Sequence, residues 1–309
     1  MGDLPKGVWP VMLTPFTVEG AIDWDGVDVL TDWYIDSGVA GLFAVCLSSE
    51  MYELTDGERL ALAKRVAKRV DGRVPVMASG TFPGATENQA AFVKEMADTG
   101  VDGVIAIVCQ LAGQGDSDEV WKANAERLLE QTGDVPMGLY ECPSPYHRLL
   151  SPELMGWCGS TGRFRFIKET SAGMEQKTPK LEALQGSPLG FYNAGAATLL
   201  ASLKQGGDGY CGTGANFFPD LFVWLCSYFE AEPEMAADLQ RFLSIAQMVV
   251  KNKYKTSAKR YLAMQGMPIQ PVCRDQEVTF REDELATLTH MSELVEIQRK
   301  ERSILVPEF

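Results

Sequence analysis

The feature that most restricts the fold is an alternation. Eight short runs rich in Val, Ile and Phe recur at residues 8–13, 41–46, 74–78, 104–109, 136–142, 164–168, 189–193 and 209–213. They are too short for helices. Near-continuous apolar runs are what strands covered on both faces require, which points to a parallel sheet. Amphipathic stretches lie between them. Residues 24–37 place Val27, Leu30, Trp33 and Tyr34 at helical spacing. Thr55 and Glu58 form a T-x-x-E capping box that opens a basic helix running to residue 70. Further helices are expected at 87–99, 117–131, 151–159, 174–184, 195–205 and 220–230. Gly38, Gly100 and Gly206 fall where left-handed caps would end helices.

Eight strands alternating with eight helices predict an α/β fold of the (β/α)8 TIM-barrel type. An open doubly wound sheet is the runner-up, but no GxGxxG follows the first strand. One such barrel accounts for about 250 residues, against a chain of 309. Beyond residue 230 the pattern is wholly helical, at 235–252, 257–264 and 283–300. The expected division is therefore a catalytic barrel at 1–230 and a C-terminal helical segment at 231–309, of the kind that covers a barrel flank or builds an oligomer contact.

Asp and Glu number 42 against 28 Lys and Arg, a formal charge of −14. That surplus repels phosphate backbones and anionic lipid, so neither nucleic acid nor a membrane surface is an expected partner. A small anionic ligand is not excluded, because a pocket can be locally positive. No run of about 20 apolar residues is present, and the N-terminus lacks the basic-then-apolar pattern of a secretory signal. The seven cysteines have no CxxC spacing and read as reduced thiols of a cytoplasmic protein.

In a (β/α)8 barrel the chemistry sits at the C-terminal ends of the strands. That rule selects Thr14, Ser48–Glu50, Ser79–Thr81, Cys109–Gln110, Tyr140–Glu141, Lys168–Glu169, Asn193 and Cys211–Thr213. Lys168 is the most informative. It alternates with Phe164 and Phe166, so it shares their face. If that face is the interior, burial disfavours the ammonium, and a neutral amine attacks carbonyl carbon to form a Schiff base. The competing reading is a lysine snorkelling at a strand end or paired to Glu169. Tyr140, one strand earlier, is a candidate proton relay or simply a core aromatic. Ser48 and Ser49 are candidates to hold a carboxylate or to cap a helix. Cys46, Cys109, Cys142 and Cys211 also fall near the rim, but the two histidines, His147 and His290, join them at no ligand spacing, so no metal site is expected. The glycines of the 212–216 segment are either a phosphate cradle or a tight turn.

With these residues in place the chain resembles the dihydrodipicolinate synthase / N-acetylneuraminate lyase family of class I aldolases. The resemblance runs through VMLTPF at 11–16, SGVAGLFAVCLSSEMYELTDGER at 37–59, YECPSP at 140–145, FIKET at 166–170 and the 209–217 stretch. It implies that Lys168 forms an imine with a 2-oxo acid such as pyruvate, or with a 2-oxo-3-deoxy sugar acid, and that Tyr140 moves protons. It implies that Ser48 and Ser49 hold the substrate carboxylate and that the backbone at Cys211 lines the pocket. The expected reaction is carbon–carbon bond formation or cleavage with a small-molecule 2-oxo acid and an aldehyde, without metal or organic cofactor, in a homotetramer built as a dimer of dimers. Alternatives within the resemblance are the synthase that names the family, a 2-oxo acid dehydratase using the same imine, and a non-catalytic 2-oxo acid-binding barrel. The chain departs from the family pattern at three places: Leu47 replaces the first threonine of the strand-2 loop, Gln110-Leu111 replaces a tyrosine pair, and Pro145 stands where an arginine is expected, with Arg148 nearby but out of register. These departures leave the Schiff-base half of the site and rebuild the half facing a second substrate.

Overall fold

The computed structural model describes residues 4–305. Its strands are β1 (Gly7–Val8), β2 (Leu42–Phe43), β3 (Val76–Ser79), β4 (Gly103–Ile107), β5 (Met137–Tyr140), β6 (Phe164–Glu169), β7 (Gly190–Asn193) and β8 (Gly209–Tyr210). All neighbours pair in parallel in the order β1-β8-β7-β6-β5-β4-β3-β2. A parallel bridge between Val11 and Phe43 joins the two ends and closes the barrel. The first strand is shorter than the apolar run that encodes it because Pro10 has no N–H to give to a ladder.

The helices are α1 (Trp24–Asp36), α2 (Asp56–Val70), α3 (Thr86–Ala97), α4 (Asp118–Thr132), α5 (Pro152–Ser160), α6 (Met174–Ala183), α7 (Leu199–Lys204) and α8 (Pro219–Tyr228), then α9 (Pro233–Lys251), α10 (Thr256–Met264) and α11 (Glu282–Glu301). The expected capping box forms: the Glu58 N–H donates to Thr55 Oγ1 at 3.2 Å and the Thr55 N–H to Glu58 Oε2 at 2.9 Å. The helix expected at 195–205 begins as a 3₁₀ turn at Ala196–Thr198 and is α-helical only over six residues.

The barrel is filled, not hollow. Trp9, Phe43, Phe166 and Tyr192 interlock in its interior, with Phe166 stacked on Tyr192 at 4.5 Å and edge-on to Trp9 at 5.1 Å. Such pairs add about 0.5–1.5 kcal/mol each beyond burial. Gly138 admits this packing, since a Cβ there would lie 2.4 Å from Ile105 Cδ1. The C-terminal helices are fastened to the barrel. Gln240 of α9 accepts from the Leu200 N–H at 2.8 Å and donates to Ala196 O at 2.7 Å. Arg299 of α11 grips both oxygens of Asp220 on α8.

Candidate active site

Along β6, Phe166 and Lys168 point inward and Glu169 outward, but Phe164 does not share their face as the alternation predicts: the ladder shifts register between Met137 and Gly138, and Phe164 packs on Trp157 of α5 instead. Tyr140 and Lys168 are direct ladder partners, so the register of β5 on β6 sets the two side by side. Lys168 Nζ lies 4.2 Å from the centroid of the Tyr140 ring and 5.9 Å from that of Phe43. Lys168 is buried. Among the described residues nothing hydrogen-bonds or ion-pairs with it, and Glu169, its sequence neighbour, faces the other way. Tyr140 is also buried, edge-on to Phe43 at 5.6 Å. Burial, reinforced by the Cys142 and Cys46 thiols, pushes its phenol pKa well above the usual value, so it stays protonated and able to donate.

The outward neighbours of this pair hold it from behind. Lys180 of α6 reaches Glu141 Oε1 at 2.7 Å and Glu169 Oε1 at 2.9 Å, and Lys177 reaches Glu169 Oε2 at 2.9 Å. All four groups are buried. Burial raises the Glu141 pKa against the pull of Lys180, whereas Lys180 and Lys177 together overcome burial and lower that of Glu169. Glu141 also accepts from the Leu150 and Thr170 N–H groups, so it ties together the loops that follow β5 and β6.

The strand-2 loop treats its two serines differently. The Ser49 hydroxyl shares its one hydrogen between the carbonyls of Met12 and Ala44 and accepts from the Cys46 N–H, which turns it into the barrel wall. Ser48 instead accepts from Tyr254 Oη at 2.8 Å, and its own hydrogen has no acceptor among the described residues. Tyr254 in turn accepts from Asn216 Nδ2, whose Oδ1 accepts from Tyr34 Oη. The chain runs in one direction and leaves the Ser48 O–H as its free donor. Asn216, Tyr254 and Tyr34 are absent from the strand-end list. Tyr254 lies on the C-terminal segment, 206 residues from Ser48, and no local pattern connects them.

Glu50 ends the loop in a left-handed conformation, with φ at 59°. Non-glycine residues adopt that region at a cost. Its carboxylate is secured by Lys259 Nζ at 2.9 Å and by the N–H groups of Arg274 and Asp275. Glu50, Cys273 and Asp275 offer ligand atoms within 4.8 Å of one another. Lys259 and Lys255 already neutralise the two carboxylates.

Cys211 is buried, and its N–H pairs with Asn193 O at 2.9 Å. Burial pushes its thiol up to about 12 against the pull of Lys168. Burial likewise raises the pKa of Cys142 and takes Cys109 to about 11, so these rim cysteines are protonated thiols. The glycines after β8 serve packing: a Cβ at Gly212 would lie 2.4 Å from the Tyr210 ring, and the Gly214 N–H donates to Tyr210 Oη at 3.2 Å. Arg148 is committed to Asp118 at 2.9 Å and to nearby carbonyls. Beside Gln110 stands Tyr52, whose phenol accepts from Gln110 Nε2 at 3.4 Å and donates to Ser144 O at 3.0 Å.

A buried, unpartnered lysine beside a protonated tyrosine at the mouth of an eight-stranded barrel is the apparatus of a Schiff-base aldolase or lyase. The profile of the dihydrodipicolinate synthetase family matches residues 4–294, and the chain belongs to that family. It is 27% identical over 267 residues to 4-hydroxy-tetrahydrodipicolinate synthase of Oceanobacillus iheyensis, covering 86% of this chain and 89% of that one. The fold is similar to that of YagE from E. coli K12, a prophage protein of the same family solved in complex with pyruvate, with TM-score 0.84, 23% identity and coverage of 94% and 98%. It is also similar to 4-hydroxy-tetrahydrodipicolinate synthase of Methylacidiphilum fumariolicum, with TM-score 0.84, 21% identity and coverage of 96% and 97%.

Proposed function

We propose that this chain is a class I aldolase or lyase that condenses pyruvate with an aldehyde, or cleaves the corresponding 2-oxo-3-deoxy sugar acid, through an imine on Lys168. The observation that carries the proposal is the Lys168 amine, buried without an ion-pair partner among the described residues and 4.2 Å from the Tyr140 ring centroid. The amine adds to the keto carbon of pyruvate, and the resulting carbinolamine loses its hydroxyl as water on taking a proton from Tyr140. The protonated imine draws electrons from the adjacent methyl carbon, which gives up a proton to become an enamine. That carbon bonds to the aldehyde carbon, and the aldehyde oxygen takes a proton. Water then hydrolyses the imine and restores the amine. The sum is one 2-oxo acid plus one aldehyde giving one 4-hydroxy-2-oxo acid. Cleavage is the reverse.

The free Ser48 O–H is proposed to bind the substrate carboxylate, with the backbone at Cys211 lining the pocket. Ser49 contributes by holding the loop that presents Ser48. The barrel, residues 1–230, supplies amine and phenol; the segment 231–309 completes the mouth. The protein is proposed to be a cytoplasmic homotetramer. No described helix is long and apolar enough to cross a membrane.

Incubation with pyruvate and borohydride, followed by intact mass and peptide mapping, tests the reading. The expected result is a reduced pyruvyl adduct on Lys168. An unmodified Lys168 would overturn it.

A further inference from the structure

A cavity of about 320 Å³ opens at the C-terminal end of the barrel. Leu47 and Lys255, the chain neighbours of Ser48 and Tyr254, are among its lining residues, so it adjoins the hydroxyl chain described above. Its apolar lining comes from Leu47, Pro83 and Pro145. Its polar lining includes Tyr52, Lys255 and Asp275, the last two joined as an ion pair.

The charges decide what this cavity accepts. Three carboxylates line it: Glu50, Glu53 and Asp275. Against them stand the ammonium of Lys255 and, on Glu50, that of Lys259 at 2.9 Å. Three negative and two positive charges leave a surplus of one negative. Arg274 adds no free charge, because its guanidinium is spent on Glu58 at 2.7 Å and 3.0 Å. An entering carboxylate therefore meets cations that already have partners, within a net negative field. A hydroxyl meets a different prospect. The Lys255 ammonium offers a donor and the Asp275 carboxylate an acceptor side by side, and a hydroxyl is both.

The pair is also held in place. Lys255 has φ at 66°, in the left-handed region that favours glycine. Gln276 Nε2 donates to Tyr254 O at 2.6 Å and to Thr256 Oγ1 at 3.2 Å, fixing the residues on either side of Lys255. A side chain presented from a fixed backbone recognises a ligand with less ordering cost.

We propose that the second substrate is an uncharged, hydroxylated aldehyde read by the Lys255–Asp275 pair, and that this mouth discriminates against aldehydes bearing a second carboxylate. The inference rests on the Schiff-base reading of Lys168 and on the cavity's place beside the Ser48–Tyr254 hydroxyl pair.

The test follows product formation from pyruvate with glyceraldehyde and with succinic semialdehyde, and traps the pyruvate imine with borohydride in parallel. The wild-type kcat/KM is expected to favour glyceraldehyde at least about tenfold. Lys255→Met should lower kcat/KM for glyceraldehyde about 10–100-fold with trapping on Lys168 unchanged. Asp275→Asn frees the Lys255 charge, so it should move the ratio at least about tenfold toward succinic semialdehyde. Loss of structure alone would lower both activities together without moving that ratio, and would overturn the assignment. A wild-type preference for succinic semialdehyde would also overturn it, as would turnover of neither aldehyde while pyruvate is still trapped; both leave the imine reading intact. Failure to trap pyruvate at all sinks both.

Discussion

The two halves of the site are built by different means. Lys168 and Tyr140 meet through strand register: they are ladder partners, and Lys180 clamps the glutamates that follow them from the opposite face. Apart from Phe43 of β2, which meets both across the barrel interior, the contacts described there join adjacent strands or the helix that follows. The mouth is assembled from parts distant in the chain. Tyr254 reaches Ser48 across 206 residues, and Lys259 reaches Glu50 across 209. The amine is thus fixed by elements that define the barrel itself, whereas the surroundings of a second substrate depend on a tail latched onto one loop.

Four substitutions sharpen the contrast. Lys168→Arg should abolish the borohydride-trapped adduct while preserving the fold, because guanidinium stays protonated and is not a nucleophile; trapped pyruvate in this variant would show that another amine does the work. Tyr140→Phe should slow turnover by about 10²–10⁴-fold if the phenol moves protons, and a near-normal rate would remove that role. Lys180→Met leaves Glu141 and Glu169 buried together without their shared cation. It should cost about 3–5 kcal/mol in chemical denaturation, and a loss below about 1 kcal/mol would mean that the clamp is dispensable.

The smallest effect belongs to the tail. Arg274 is the main cause that lowers the Glu58 pKa to about 2 from its ordinary 4.5. A carboxyl depressed in the folded state stabilises fully above its ordinary value and loses that contribution as pH falls through the lowered one. The latch should therefore weaken between about 4.5 and 2, and Glu58→Gln should flatten the acid limb of stability in that window. Denaturation midpoints measured across the range would show it; an unaltered acid limb would place the latch elsewhere.

Much of the amine half was legible in the sequence. Period-two alternation placed Lys168 correctly with Phe166 but wrongly with Phe164, because a register shift that no sequence pattern signals interrupts the start of the strand; the strand-end rule picked out Tyr140. Both signals are local, so they survive without knowledge of packing. The strand-2 loop was half legible. Its two serines are adjacent and chemically identical, and only the 3₁₀ turn at Leu47–Ser49 decides that one hydroxyl enters the wall and the other meets Tyr254. The mouth was not legible. Tyr254, Lys255 and Asp275 lie in a segment whose helical periodicity says only that it packs somewhere. The glycines at 212–214 show the same limit: their freedom fits a cradle or a close contact, and the Tyr210 ring selects the contact.

Glu50 makes the arrangement separable. Its carboxylate fastens a stretch of chain that lies wholly after the last strand, so residues there are exchanged without disturbing any β-pairing. If the proposed aldehyde pocket holds, an engineer seeking a new product has this short stretch to redraw.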